Sequence, residues 1–276
     1  MSAEHLEQKG FENARLNAER LLGHVLNLNR VELYLHFERP IAEEELAQFK
    51  VLLQRRLKHE PLQYLLQQTE FMSLPFKVGP AVLIPRPETE LLVEQVLTEC
   101  KTRFPALPEI SILDIGTGSG NIAISLAKNL PAAKVTALDV SAEALMLARE
   151  NAELNAVGEQ IRFVNGDVRS VNLEQQFRVI VSNPPYITQK EMLELPPEVR
   201  YYEPKTALAG GVDGLDFYRL IIQRMAQKLM PHGFMAFEIG YQQAAGVKQI
   251  FHKSQFTDVK VFQDLNAHDR IIIASQ

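Results

Sequence analysis

Between positions 112 and 239 the chain alternates short runs rich in β-branched and aromatic residues with longer runs of helical periodicity, and this alternation leaves few folds open. Positions 112–115, 134–138, 161–164, 179–182 and 234–239 are expected as strands, with helices over 121–129, 141–154 and 214–229 separating several of them. A strand, a helix and a second strand close into a right-handed crossover, so the pattern predicts a parallel sheet covered on both faces. The last two runs, 259–262 and 270–274, are joined by too few residues for a helix and are expected antiparallel to each other. Seven strands result, five of them parallel.

The N-terminal segment is of another kind. From Ser2 to about Glu60 apolar residues recur at helical spacing (Leu21, Leu22, Val25, Leu26; then Leu46, Phe49, Leu52, Leu53), with breaks at Asn27 to Asn29 and at Arg39-Pro40, which predicts three or four short helices. Phe71, Phe76, Val78, Val82 and Ile84 around Gly79-Pro80 suit a hairpin, and Pro87 with Glu88 and Glu90 opens a helix running to about Lys101. The expected organisation is a helical domain at 1–70, a hairpin connector at 71–90 and an α/β domain at 91–276. The formal net charge of -5 is spread along the chain, with no basic tail of the kind that constitutive nucleic-acid binding requires, so no stable nucleic-acid partner is expected. Cys100 is the single cysteine, which excludes an intramolecular disulfide and a cysteine-built zinc site. The histidines are scattered without paired spacing, so no metal site is expected. No stretch approaches the roughly 18 apolar residues of a membrane span, and the N-terminus has no apolar signal core; the expectation is a soluble, cytoplasmic protein.

Leu113-Asp114-Ile115-Gly116-Thr117-Gly118-Ser119-Gly120 lies between an expected strand and the apolar helix that follows. Glycines there let backbone approach a ligand, and the helix N-terminus presents free N–H groups. Asp139 ends the next strand nineteen residues beyond Gly120, a distance at which an acidic side chain can accept both ribose hydroxyls; the competing reading is an Asp that merely precedes the helix capped by Ser141. Asp167, after the third strand, is placed to meet an adenine amine, with Val168 beside the ring, although an Asx turn explains an Asp there equally well. The spacing is G-x-G-x-G, and Asp114 sits two residues before the first glycine. A carboxylate there would repel a dinucleotide pyrophosphate and suit a cationic cofactor, so S-adenosylmethionine is expected rather than NAD.

Asn183-Pro184-Pro185-Tyr186 follows the fourth strand, at the carboxyl edge of the sheet where ligands of open α/β folds bind. An amide or aromatic amine nitrogen is a poor nucleophile because its lone pair is delocalised. The Asn183 side-chain oxygen and the Pro184 carbonyl can accept both N–H bonds of one NH₂ group, neither Pro184 nor Pro185 has a backbone N–H to compete, and Tyr186 can stack on a planar substrate group. A proline turn at a strand end is the structural alternative.

Together these features resemble the Rossmann-like methyltransferases, and within them the glutamine N5-methyltransferases of peptide-chain release factors, the PrmC or HemK family. Further segments carry the resemblance: Ile84-Pro85-Arg86-Pro87-Glu88-Thr89-Glu90, Glu203-Pro204 with Ala207-Leu208, Gly214-Leu215-Asp216 and Phe237-Glu238-Ile239-Gly240. One departure is Gln67, where the family pattern usually has glycine before the Glu70-Phe71 pair. The resemblance implies the Gly-Gly-Gln glutamine of class 1 release factors as substrate and a docking role for the helical domain. The alternatives are a methyltransferase acting on a ribosomal-protein glutamine and a DNA adenine N6-methyltransferase, whose target is also a planar NH₂ group. A DNA-reading module would favour the last, and the only dense basic cluster is Arg55, Arg56 and Lys58.

Overall fold

The helical repeat of the N-terminal segment becomes four helices, α1 (Ser2–Gln8), α2 (Ala14–Leu26), α3 (Arg30–Leu35) and α4 (Glu43–Arg56), followed by one turn, α5 (Leu62–Leu66), in a computed structural model that describes residues 2–276. The breaks fall where the asparagines are. Asn27 ends α2 in the left-handed region at φ 52°, and Asn29 caps α3 in a reciprocal box in which its side chain accepts the Glu32 N–H while the Glu32 carboxylate accepts its own. Leu21, Phe49, Leu62 and Leu65 make the small core of this unit. Leu46 is instead well exposed, because the α4 face that buries is set by Phe49 and Arg56.

Arg56 is the polar centre of the helical unit. Its guanidinium, 5% exposed, donates to Asn17 Oδ1 (2.8 Å), to the Glu60 carbonyl (2.9 Å) and to Glu198 Oε1 (2.8 Å), and lies 4.3 Å over the Phe11 ring. Burial of a charge is tolerated when it is so fully partnered. Glu198 belongs to a helix far along the chain, Pro197–Tyr202, and the segment Pro196–Tyr202 groups with the helical unit that ends at Gln68. Tyr202 donates from its hydroxyl to the Lys58 carbonyl (2.8 Å). A single linear boundary near residue 70 therefore misses seven residues of this unit.

Gln67 occupies the left-handed cap of α5, at φ 56°, with its N–H returning to the Gln63 and Tyr64 carbonyls. This is the conformation glycine adopts without strain, so a glycine would suit the position better than Gln67. The hairpin follows at once as β1 (Gln68–Phe71) and β2 (Leu74–Lys77), earlier than the expected 71–90. The turn is Met72-Ser73, both at positive φ, and not Gly79-Pro80; the Met72 N–H is held by Glu90 Oε1 at 2.6 Å. The hairpin from Thr69 on belongs to the larger unit.

In that unit α6 (Pro87–Arg103) begins with proline and two glutamates and ends with Lys101 and Arg103, each matched to the helix dipole. Cys100 is fully buried on it, and burial pushes its thiol up to about 12. Then come β3 (Ile110–Ile115), α7 (Asn121–Asn129), β4 (Ala133–Asp139), α8 (Ala142–Leu154), β5 (Ile161–Asn165), β6 (Phe177–Ser182), α9 (Pro197–Tyr202, the segment already placed), α10 (Asp216–Met225), β7 (Leu229–Glu238), α11 (Ala244–Lys253), β8 (Asp258–Gln263) and β9 (Asp269–Ser275). The seven strands lie in the order β5-β4-β3-β6-β7-β9-β8, and β9 alone runs against its neighbours. One apolar cluster, around Leu92, Val96, Ile124 and Ala236, covers one face, and a second, around Leu113, Phe177, Phe237 and Phe251, covers the other. Strands buried on both faces carry nearly continuous apolar runs, as β3 does. No helix among the described residues is long and apolar enough to cross a membrane.

Candidate active site

Strand order reverses between β3 and β6, so the loops leaving their carboxyl ends diverge and open a crevice. A cavity of about 570 Å³ lies there, within the usual range for small-molecule sites. Gly116 to Ser119 of the glycine turn, Asp139, the Asp167-Val168 pair and Asn183-Pro184-Pro185 all line it, joined by Pro85 and Arg86 just before α6 and by Thr89 in its first turn.

The turn after β3 is built by its neighbours. Gly116 and Thr117 donate their N–H groups to the Leu138 carbonyl (2.8 and 3.1 Å), which carries the chain across the end of β4. Gly116 and Gly118 have positive φ, and a Cβ at either would meet open space, so backbone forms the cavity wall there. Gly120 turns the chain into α7 against Ala148 at φ 82°, a left-handed conformation that strains any side chain, and a Cβ there would also press on Ile124 Cδ1 (2.9 Å) and Ala148 Cβ (3.2 Å). Behind the turn Asn151, fully buried on α8, donates to the Ser119 and Lys77 carbonyls and accepts the Lys77 N–H, tying turn, hairpin and helix together.

The three sequence-selected carboxylates differ in setting. Asp114 is completely buried and lies beneath the cavity wall, not on it. Thr117 donates to its Oδ2 at 2.6 Å, the Ala123 amide also favours its charge, yet Oδ1 finds no hydrogen-bond partner; burial prevails and pushes the carboxyl up to about 7. Asp139 accepts the Gly118 N–H on Oδ2 and the Ser141 N–H on Oδ1, both at 2.9 Å, while Ser141 caps α8 by accepting the Ala144 N–H. It is therefore both the Asx-type residue before the helix and a cavity-lining acceptor with lone pairs to spare. Asp167 makes the Asx turn anticipated for it, accepting the Arg169 N–H at 2.8 Å, and lines the cavity beside Val168.

At the end of β6 the Asn183 side chain donates through Nδ2 to the Thr89 hydroxyl (3.1 Å), which donates in turn to Glu238 Oε2 (2.6 Å). Among the described residues neither Asn183 Oδ1 nor the Pro184 carbonyl accepts a hydrogen bond. The Tyr186 side chain packs against the core cluster of Leu113 and Tyr218, and its hydroxyl donates to Glu238 Oε1 at 3.2 Å, outside the cavity wall. Burial and the nearby Glu238 hold the Tyr186 phenol well above its ordinary value. The loop is backed by glycine at Gly210, where a Cβ would fall 2.6 Å from Tyr186 Cα, and the Tyr186 carbonyl accepts Gln243 Nε2 at 2.9 Å. Thus the structure brings Gly116, Thr117, Gly118, Ser119, Asp139, Asp167, Val168, Asn183, Pro184 and Pro185 to one cavity, and sets Asp114, Gly120 and Tyr186 behind it.

Sequence reasoning placed Thr89, Glu238, Arg86 and Glu203 in the segments that carry the resemblance but gave none of them a role in the site. Arg86, at the cavity, pairs with the buried Glu203 carboxylate at 2.5 Å. A charged residue inside the apolar run ending β7, as Glu238 is, was the available signal.

A seven-stranded sheet with one reversed strand, a glycine turn after the first parallel strand and an Asn-Pro-Pro-Tyr loop after the fourth define a methyltransferase. The fold agrees with solved methyltransferases: the hMettl16 catalytic domain superposes with a TM-score of 0.59 at 17% identity (85% of this chain, 82% of that one), and a methyltransferase from Pyrococcus furiosus with 0.52 at 22% (74% and 89%). Residues 2–66 match the PrmC N-terminal domain and residues 88–195 the methyltransferase small domain. Release factor glutamine methyltransferases of Geobacter sulfurreducens and Chlorobaculum tepidum are 46% and 44% identical over 97% and 95% of this chain and 92% and 90% of their own. The chain belongs to the release factor glutamine methyltransferase family.

Proposed function

We propose that this enzyme transfers the methyl group of S-adenosylmethionine to the side-chain amide nitrogen of a glutamine, in the Gly-Gly-Gln segment of class 1 peptide-chain release factors. The observation that carries the reading is the pair of acceptors at the cavity, Asn183 Oδ1 and the Pro184 carbonyl, which take no hydrogen bond from the protein. Two acceptors in one loop suit the two N–H bonds of a primary amide. The names of the relatives support the choice of glutamine and of release factors over the ribosomal protein and the DNA base.

The residues present fit the cofactor. The unpartnered Oδ1 of the buried Asp114 carboxyl puts beneath the turn a group that a cationic ligand would draw into its ionised form, Gly116 and Gly118 leave the space a ligand needs, and Asp139 retains acceptor capacity for hydroxyls. When bound, S-adenosylmethionine supplies an electrophilic methyl carbon on a sulfonium. The protein's own task is to hold the glutamine amide. Accepting both N–H bonds orients the nitrogen and polarises it toward nucleophilicity, and Pro184 and Pro185 stiffen the loop that does so. Tyr186 fixes that loop from behind through Glu238 and Gln243. The proton released after transfer leaves to solvent or to a neighbouring carbonyl.

Mass spectrometry of purified release factor incubated with this enzyme and methyl-labelled cofactor tests the reading. A single label on the Gly-Gly-Gln glutamine is expected; label on a ribosomal protein or on DNA, with none on the release factor, would replace the substrate named here.

A further inference from the structure

The hydroxyl of Thr89 has one proton, and it goes to Glu238 Oε2 at 2.6 Å. An ionised carboxylate has only acceptors, so Thr89 must be the donor in that bond, which leaves its oxygen only lone pairs to offer Asn183. The end of the Asn183 amide that meets Thr89 is then necessarily the NH₂ end, and Oδ1 is the end left for the cavity. Were the chain of donors reversed, Thr89 would donate to Asn183 Oδ1, and the NH₂ group would face the NH₂ group of the substrate, donor against donor.

We infer that Glu238, acting through Thr89, is a positioning residue that sets the polarity of the Asn183 amide and so makes the loop an acceptor for the substrate nitrogen. This rests on the proposed amide-clamp function and adds two residues outside the tetrapeptide. Glu238 is 1% exposed, and its side chain has two donors, Thr89 on one oxygen and Tyr186 on the other, while Tyr218 donates to its backbone carbonyl at 2.9 Å. A carboxylate so placed has no evident structural use as a surface ion pair, and a neutral side chain would serve packing better. The groups facing it are Thr89 and Glu88 from α6, Tyr186 from the loop, Tyr218 from α10 and Arg270 from β9. Burial raises its affinity for a proton most, Glu88 adds to this, and Thr89, Arg270 and Tyr186 oppose it. The sign follows: the productive orientation is present when Glu238 is ionised and is lost as pH falls through a midpoint lying above the usual glutamate range.

The test compares Thr89→Val, Thr89→Ser, Glu238→Gln and wild type under single turnover with saturating cofactor and release factor, together with ¹⁵N–¹H spectra of the Asn183 side-chain NH₂. Thr89→Val should lose roughly tenfold to a hundredfold in rate with cofactor Kd changed less than about threefold, and Thr89→Ser should restore most of it. Wild type should show an acid limb in rate and a matching shift of the Asn183 NH₂ signal; Glu238→Gln, whose Oε1 still accepts the Thr89 hydroxyl while its Nε2 can donate to the Tyr186 oxygen, should keep the polarity at every pH and show neither. Thr89→Val turning over at the wild-type rate would overturn the inference, as would an acid limb or an Asn183 signal that titrates identically in Glu238→Gln. Failure of wild type to label release factor would count against the substrate, whereas the NMR comparison decides the polarity of Asn183 without any substrate.

Discussion

Replacing Asp114 by asparagine isolates a buried carboxyl whose charge the fold disfavours. The carboxyl moves from an ordinary value of 3.8 to about 7 because burial outweighs the bonds from Thr117 and Ala123. The folded state therefore holds the proton more tightly than the unfolded chain, and stability falls as pH rises from about 4 through about 7. A shift of about three units corresponds to roughly 4 kcal/mol at full ionisation, of which about 2–3 kcal/mol is lost between about pH 5 and about pH 8. Asparagine keeps an acceptor for the Thr117 hydroxyl but places an NH₂ group where Oδ1 had no partner, a penalty of about 1–3 kcal/mol that does not depend on pH. The difference between variant and wild type, measured by urea unfolding without cofactor at both pH values, should thus move in favour of the variant by about 2–3 kcal/mol from acid to alkaline conditions. Other titrating groups, Glu238 among them, cancel in that difference. Cofactor affinity at about pH 8 should drop roughly tenfold or more, since the charge that destabilises the empty turn is the one a sulfonium and an ammonium would answer. A stability difference that is constant across pH would refute the raised carboxyl, and unchanged calorimetric affinity would remove Asp114 from the cofactor's surroundings.

Asn183→Ala should lower the single-turnover methylation rate by on the order of 10²–10³ with a much smaller change in cofactor Kd, read by rapid quench and calorimetry. Asp139→Ala removes the acceptor of both the Gly118 and Ser141 N–H groups as well as the proposed ribose partner, so cofactor Kd should rise at least tenfold, with a modest drop in Tm. Gln67→Gly relieves a side chain held at φ 56° and should raise unfolding free energy by about 1 kcal/mol, visible as an increased urea midpoint at unchanged slope. Asn151→Ala strands the Lys77 N–H and the Lys77 and Ser119 carbonyls, and should cost about 3 kcal/mol or more in stability by the same measurement.

What could be read from sequence was what lies close together in it. The alternation of apolar runs announces the parallel sheet, and two contiguous motifs announce the loops at its switch point, because each follows a strand and neither requires knowledge of a distant partner. The roles of Thr89 and Glu238 depend on contacts across 94 and 149 residues, and no periodicity encodes them. The anchoring of Tyr186 was hidden for the same reason: its hydroxyl is held by Glu238 on β7, 52 residues further along the chain. Asp114 looked like a direct ligand because of its spacing from Gly116, and only packing reveals that the turn lies over it. The early hairpin was missed because Met72-Ser73 lacks the glycine or asparagine that marks a tight turn, the Met72 N–H being held instead by Glu90 from another element.

The passage of 196–202 through the helical unit has a consequence for how such a gene can be cut and joined. The chain crosses between the two units after residues 68, 195 and 202, so no single splice point transfers the helical unit whole. A fusion that carries only the first 68 residues to another methyltransferase leaves Arg56 a buried cation without the Glu198 carboxylate, and the remaining half keeps a tyrosine, Tyr202, whose carbonyl partner at Lys58 has gone. Recombination that swaps this unit must therefore exchange two separated stretches of coding sequence together, one of them only seven codons long.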